Sequence, residues 1–448
     1  MWLVRHLEIT RQLIIEDLRV VNTLCLPVFP PSWEVSHLFV RLYHECLARH
    51  LEDVINNGLE GNEYVALLSW VLQTYPGREL LAHPDLRINQ SNLGPLLKPE
   101  VVDQLLEAYM AKMTSNYSDW MQRAIETETR DWLRNIEPEG QDAEGHYTTE
   151  GLILFFQIVE ENLQVSQTIS TDLMLRSLSL GFQQIIQYGV LYRNAIVEFK
   201  TKHFEDRSQV MYFTYYMIAI INNCLHVTEL ALNMKTRYLK PNSSFAVEIG
   251  RIFDHLVQAY QKLRDEASEY LLEEAFLDLE PHFSDLVTRK WLTSSVAVDT
   301  ICATLDDYFQ DYTRLKPNNY TFVIQEARDL LTRKYLHALM NRKMSFKDDI
   351  ERREGSEKMI REMQQLQELF SSHGYKDLVN SPLEAIASLA EVIRISDVEF
   401  LALELHSVIK TFPDMSSDQL INLLFLRGDM NRADIKRKVS EIIPEGTT

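Results

Sequence analysis

From Arg251 to Leu271 the apolar residues Ile252, Phe253, Leu256, Val257, Tyr260, Leu263, Ala267, Tyr270 and Leu271 return at steps of three and four. A helix turns once in about 3.6 residues, so these side chains form one stripe that must be buried against a neighbour. The same rule runs through Phe322, Val323, Ala327, Leu330, Leu331, Leu339, Met340 and Met344. No stretch of comparable length alternates with the two-residue period of a half-buried strand. Fourteen glycines and 14 prolines in 448 residues are few against usual shares of about 7% and 5%. Strand-rich folds spend those residues on frequent turns. The expected fold class is all-α, with helical bundles in series.

Breaks come where proline and glycine gather. Pro27 with Pro30-Pro31 ends the first helix, and Pro76, Gly77, Pro84, Gly94, Pro95 and Pro99 interrupt the chain before the next long one. Glu137–Tyr147 reads as an exposed loop. A boundary is expected near Pro241–Ser244, giving 1–243 as a first helical bundle region, into which the end of a preceding bundle can fall, and 244–448 as a C-terminal one. Ser381 with Glu384, Ser396 with Glu399 and Ser416 with Gln419 have capping-box spacing. They predict short helices near 382–395, 397–411 and 417–426.

Charge and reactive residues exclude more than they assign. Apolar residues make up 46% of the chain, enough to build cores. A net charge of −20 opposes nucleic acid as a ligand, since phosphate binding needs positive surface. Cys25, Cys46, Cys224 and Cys302 lie far apart in apolar segments and read as buried free thiols. Gln209–Thr228 carries no formal charge, but Asn222, Asn223 and His226 make it a central core helix rather than a membrane span. Sequons begin at Asn89, Asn116, Asn242 and Asn319 and carry no meaning without secretion. Glycine-rich phosphate loops and nucleophile elbows are absent from the sequence. His44 and His50 are six residues apart, which does not put two imidazoles on one helix face. Glu273-Glu274 points in two directions and reads as a solvated face, and Arg427-Gly428-Asp429 reads as a connection between two helices. No cofactor, no metal and no catalytic residue is expected.

Two charge tracts stand out. Asp265, Glu266, Glu269, Glu273, Glu274, Asp278, Glu280 and Asp285 lie in a stretch to Thr288 without Lys or Arg. From Leu330 to Lys347 come Arg333, Lys334, Arg342, Lys343 and Lys347 without an acid. Such tracts are commonly solvated faces. The basic one opposes the overall charge, which makes these five residues the candidate partner-binding site, for an acidic helix or anionic headgroups. Leu330, Leu331, Leu339 and Met340 are expected to face the bundle and the five bases to face water.

Several runs resemble a known family. They are Met217–Cys224 (MIAIINNC), Phe276–Leu292 (FLDLEPHFSDLVTRKWL), Ala297–Phe309 (AVDTICATLDDYF), Ala390–Asp397 (AEVIRISD) and Phe412–Asp429 (FPDMSSDQLINLLFLRGD). With Met1–Ile9 (MWLVRHLEI) and Glu161–Val165 (ENLQV), their number and order are similar to the exocyst component 3 family. The resemblance implies an elongated rod of stacked helical bundles and a non-enzymatic exocyst subunit, cytoplasmic and peripherally recruited to the plasma membrane. There it would tether secretory vesicles before SNARE-mediated fusion. Implied partners are other exocyst subunits, SNARE proteins and their regulators, with peripheral contact to anionic membrane and none with nucleic acid. Family members are longer at the N-terminus, so a C-terminal fragment is expected. The alternative is a phosphoinositide-binding, membrane-remodelling paralogue of the same fold, which the charge of −20 opposes.

Overall fold

The computed structural model describes residues 2–90, 92–374 and 381–442. Sixteen α-helices and no strand occur among the described residues; the one β-bridge joins Gln141 and Tyr147. The first eight helices are α1 (Trp2–Val20), α2 (Val35–Asn56), α3 (Gly61–Ser69), α4 (Pro99–Trp132), α5 (Glu150–Ile169), α6 (Thr171–Glu205), α7 (Phe213–Tyr238) and α8 (Ala246–Asp285). The others are α9 (Arg289–Thr293), α10 (Val296–Asp311), α11 (Pro317–Leu339), α12 (Asp349–Ser372), α13 (Glu384–Arg394), α14 (Val398–Thr411), α15 (Ser417–Arg427) and α16 (Arg432–Ile442). The all-α expectation holds, and the stripes on α8 and α11 supply buried residues such as Leu256, Tyr260, Leu263, Val323, Ala327 and Leu331.

Two compact units are built from non-consecutive segments. Unit 1 comprises Met1–Leu133, Glu150–Phe199 and His226–Lys262, and unit 2 comprises Arg134–Thr149, Lys200–Leu225 and Leu263–Thr448. The 240–245 connection lies between α7 and α8, and both of those helices contribute to both units. Unit 1 packs α3 against α1, α4 and α5. Its core includes Phe155, stacked on Trp120 at 5.2 Å and edge-on to Tyr117 at 5.5 Å. Such aromatic pairs add about 0.5–1.5 kcal/mol beyond the apolar area that they bury.

In unit 2, α12 packs on α9, α10 and α13, and α15 packs on α11, α13 and α16. A buried carboxylate pins the centre of this unit. Glu362 on α12 is 4% exposed and accepts hydrogen bonds from Trp291 Nε1 at 2.9 Å and Tyr335 Oη at 2.6 Å, with Lys358 Nζ at 3.2 Å. Burial pushes its pKa up, against the opposing pull of these donors.

The uncharged run 209–228 contributes to α7, whose Met217–Ile221 are fully buried. Its asparagines serve the backbone rather than a ligand. Asn222 donates from Nδ2 to the carbonyls of Tyr147 and Arg314, at 2.9 and 3.0 Å. Its Oδ1 accepts from Lys316 N at 2.8 Å and Asn319 Nδ2 at 3.2 Å. Loop 134–149, α7 and the start of α11 are thereby tied at one side chain. Asn319 is fully buried, so its sequon is out of reach of modification; Ser91 of the Asn89 sequon lies outside the described residues. Among the described residues no helix is long and apolar enough to cross a membrane.

Several sequence expectations need correction. Cys224 is buried, but Cys25 and Cys302 are half-buried and Cys46 is exposed. Of the three capping boxes only Ser416–Gln419 forms, opening α15. At α13 the turn through Pro382 moves the helix start to Glu384, with Leu383 at the cap and no side-chain cap. At α14 Asp397 takes the place of Ser396, its carboxylate accepting from Glu399 N at 2.8 Å. A charged acceptor beside the positive end of a helix outcompetes a hydroxyl one residue earlier. The Ser396 hydroxyl turns instead to Asp349. We expect Ser416→Ala and Asp397→Ala each to cost about 1 kcal/mol, the usual worth of an N-cap, read from urea unfolding midpoints.

Candidate docking surface

The two charge tracts meet in unit 2. Most of the acids on α8 are neutralised from other elements, which a reading of one tract alone could not show. Glu274 is buried, not solvated: it accepts from His203 Nε2 at 2.7 Å and from Arg207 at 2.5 Å. Arg207 also reaches Asp278 at 2.7 Å, where Tyr308 donates a second bond of 2.7 Å. These two donors, Arg207 foremost, hold the Asp278 carboxyl below its ordinary range. Glu273 is the exposed member of its pair and meets Lys200 Nζ at 2.8 Å. Asp265 pairs with Arg264, Glu266 accepts from Tyr270, and Asp285 pairs with Lys290. Of the eight acids only Glu269 has no hydrogen-bond or ion-pair partner among the described residues.

The five candidate bases do not form one free patch. Arg333 and Lys334 project from α11, and Lys334 Nζ lies 2.6 Å from Glu280 of α8. Lys343, in the loop after α11, donates to the Ser284 carbonyl at 2.6 Å. Arg342 donates to Asn422 Oδ1 and lies over the Phe425 ring at 5.6 Å. Lys347 approaches Glu351 at 3.7 Å and is otherwise exposed. Arg333 alone of the five has no partner among the described residues. Lys334 is half-buried and the other four are exposed, while Leu331 and Leu339 are buried and Leu330 and Met340 half-buried. An exposed pair contributes about 0–1 kcal/mol, so these contacts leave the bases able to exchange partners.

Beside them runs a groove of about 630 Å³ between α8 and α11. Leu272, Phe276 and Leu330 form its floor, and Phe322 and Leu277 its lips. Asp265, Glu269 and Glu326 lie toward one end, and Arg333, Lys334 and Glu280 toward the other, where Glu280 pairs with Lys334. The helices run parallel, because Arg264 lies over Phe322 at 4.2 Å at one end and Lys334 meets Glu280 at the other. Among the described residues no group of three or more His, Cys, Asp or Glu side chains is placed to hold a metal ion. His44 meets Tyr75 and His50 meets His6, so the two histidines of that run point apart.

What the geometry offers is surface, and comparison with known proteins gives that surface a family. The family model described as exocyst complex component Sec6 matches residues 4–432. The chain belongs to the Sec6 family.

Exocyst complex component 3 of Drosophila melanogaster is 42% identical over 443 residues, which is 98% of this chain and 59% of that protein. The Caenorhabditis elegans protein of the same name is 27% identical over 99% of this chain and 58% of its own length. The chain therefore spans somewhat more than half the length of these Sec6 relatives. Human tumor necrosis factor alpha-induced protein 2 is 24% identical over 94% of the chain and 62% of that protein. Among solved structures, M-Sec aligns with a TM-score of 0.76 at 21% identity, over 97% of this chain and 72% of its own. The C-terminal domain of the exocyst subunit Sec6p aligns at 0.67 and 16%, over 77% and 92%. Both share the fold. The family resemblance carried by the helical runs is thus confirmed, although none of those runs is a reactive motif. The groove escaped sequence reading because its walls lie on two helices; the signal present was the three- and four-residue spacing of Glu269, Leu272, Phe276 and Glu280.

Proposed function

We propose that this chain acts within a non-enzymatic exocyst subunit that tethers secretory vesicles to the plasma membrane before SNARE-mediated fusion. The Sec6 family match over residues 4–432 carries the reading. A tether works by surface and length rather than by a pocket, and about 1.5 Å of rise per helical residue gives reach with few residues. Its partners are other exocyst subunits and SNARE proteins with their regulators, met in the cytoplasm and at the plasma membrane. The test is assembly: the purified chain is mixed with the remaining exocyst subunits and resolved by size exclusion. Co-elution at fixed stoichiometry is expected; a chain that elutes alone while the other subunits assemble overturns the reading.

Within it, Arg333, Lys334, Arg342, Lys343 and Lys347 are the proposed face for an acidic SNARE helix. Reversing Arg342, Lys343 and Lys347 to Glu alters exposed positions, where replacements usually cost within about 0.5 kcal/mol each. The melting temperature should therefore move little, while binding to the SNARE weakens and loses its salt dependence. Unchanged affinity with an intact fold removes these residues from the interface. Flotation with phosphoinositide vesicles runs alongside, and loss of binding there alone would transfer the face to membrane.

A further inference from the structure

The groove between α8 and α11 has a length, a floor and a charge order that together describe an occupant. On α8 its walls extend from Asp265 to Glu280, which at 1.5 Å per residue is about 22 Å, or four helical turns. Its floor is apolar, with Leu272 and Phe276 buried and Leu330 half-buried, and Leu277 at the lip is 47% exposed. Its ends carry opposite charge that the chain does not satisfy: Glu269 and Glu326 at one, Arg333 at the other, each without a partner among the described residues.

We propose that the groove takes one amphipathic helix of a partner protein, with Lys or Arg at one end and Asp or Glu at the other. Apolar side chains spaced by three and four residues fill the floor, in the manner of a helix laid in a groove. The basic end lies at Glu269 and Glu326 and the acidic end at Arg333, so the charge order fixes which way the helix runs. An anionic membrane fits poorly, because two of these three unsatisfied charges are acidic. The proposal goes beyond the tethering role; it shares Arg333 and Lys334 with the proposed SNARE face but not Arg342, Lys343 and Lys347, so reversing those three tests that face without touching the groove.

Binding of labelled helical peptides to the full chain, followed by fluorescence anisotropy, tests it. The peptides are about 15 residues long and share one leucine stripe. One carries Lys at one end and Glu at the other, the second Glu at both ends, the third Lys at both ends. The mixed peptide should bind most tightly. Glu269→Lys with Glu326→Lys should weaken it about tenfold while favouring the all-Glu peptide, and Arg333→Glu should weaken it while favouring the all-Lys peptide. Leu277→Gln should weaken all three. These positions lack partners or face solvent, so melting should be unchanged, which circular dichroism checks. Equal affinity across the variants, or no peptide binding by a folded chain, overturns the proposal. So does self-association lost in the Glu269/Glu326 variant, which would make the occupant a second copy. Binding to phosphatidylcholine–phosphatidylserine vesicles that Arg333→Glu abolishes also overturns it, assigning the surface to membrane.

Discussion

Gly428→Ala should unfold the C-terminal helices of unit 2 at far lower denaturant than the parent chain. Gly428 ends α15 with φ at +74°, in the left-handed region where an L side chain costs about 1–2 kcal/mol. A Cβ there would also stand 2.0 Å from the Phe346 carbonyl oxygen. That oxygen is backbone held in place, since Phe346 N donates to the Leu426 carbonyl at 2.9 Å. Strain and clash together should cost about 4 kcal/mol, at the diagnostic end of single substitutions. Gly374 separates the two causes. Its φ is +90° but nothing lies within 4 Å of an added Cβ, so Gly374→Ala should lose only the conformational part. Hydrogen exchange over α13–α16 is the appropriate measurement, because a chain of two units does not promise a two-state melt. Equal losses at the two glycines would refute the close-approach argument.

Asn222→Leu should be comparably severe for a different reason. The side chain is fully buried and its four hydrogen bonds tie α7 to two other pieces of chain, the loop at Tyr147 and the stretch from Arg314 to Asn319. Leucine has nearly the same volume but strands the Tyr147 carbonyl, leaves the Arg314 carbonyl only its bond from Tyr147 N, and removes the acceptor shared by Lys316 N and Asn319 Nδ2. Four lost hydrogen bonds at about 1 kcal/mol each give an expected loss of about 4 kcal/mol. Exchange protection should fall first around Tyr147 and Arg314. Substituting neighbouring Cys224 by alanine, which removes a thiol and no hydrogen bond of this kind, should be much milder. If Asn222→Leu proves neutral, water must replace the amide.

The helices were legible because burial imposes a three-to-four residue rhythm on the chain, and α8 and α11 show it without interruption. Helix ends were less so. Ser381 and Ser396 have the right spacing, yet the chain starts the helices at Glu384 and Val398 because proline geometry and a neighbouring carboxylate decide locally. Long-range pairing was not legible at all. Nothing near Glu274 in sequence announces His203 and Arg207, about seventy residues earlier, so a buried ion cluster looked like solvated surface. Arg427-Gly428-Asp429 shows the same limit from the other side. The tripeptide does join α15 to α16, but Arg427 is 1% exposed and donates to the carbonyls of Val392, Ile393 and Ile395 at the end of α13. The sequence marks a turn there; only the fold shows that its arginine closes another helix.

The discontinuous make-up of the units bears on the order in which the protein can be made. Unit 1 draws its last segment from His226–Lys262, so it lacks a wall until that stretch has left the ribosome. From the end of α5 to Lys262 is about ninety residues, so at about 5–20 residues per second the chain waits about 5–20 s with α1 to α5 formed but incompletely covered. Unit 2 begins earlier in sequence than unit 1 ends, since Arg134–Thr149 and Lys200–Leu225 must await Leu263–Thr448. Neither unit can therefore be finished and set aside before the other is under way. During synthesis the nascent chain carries two half-built cores at once, a standing demand for chaperones.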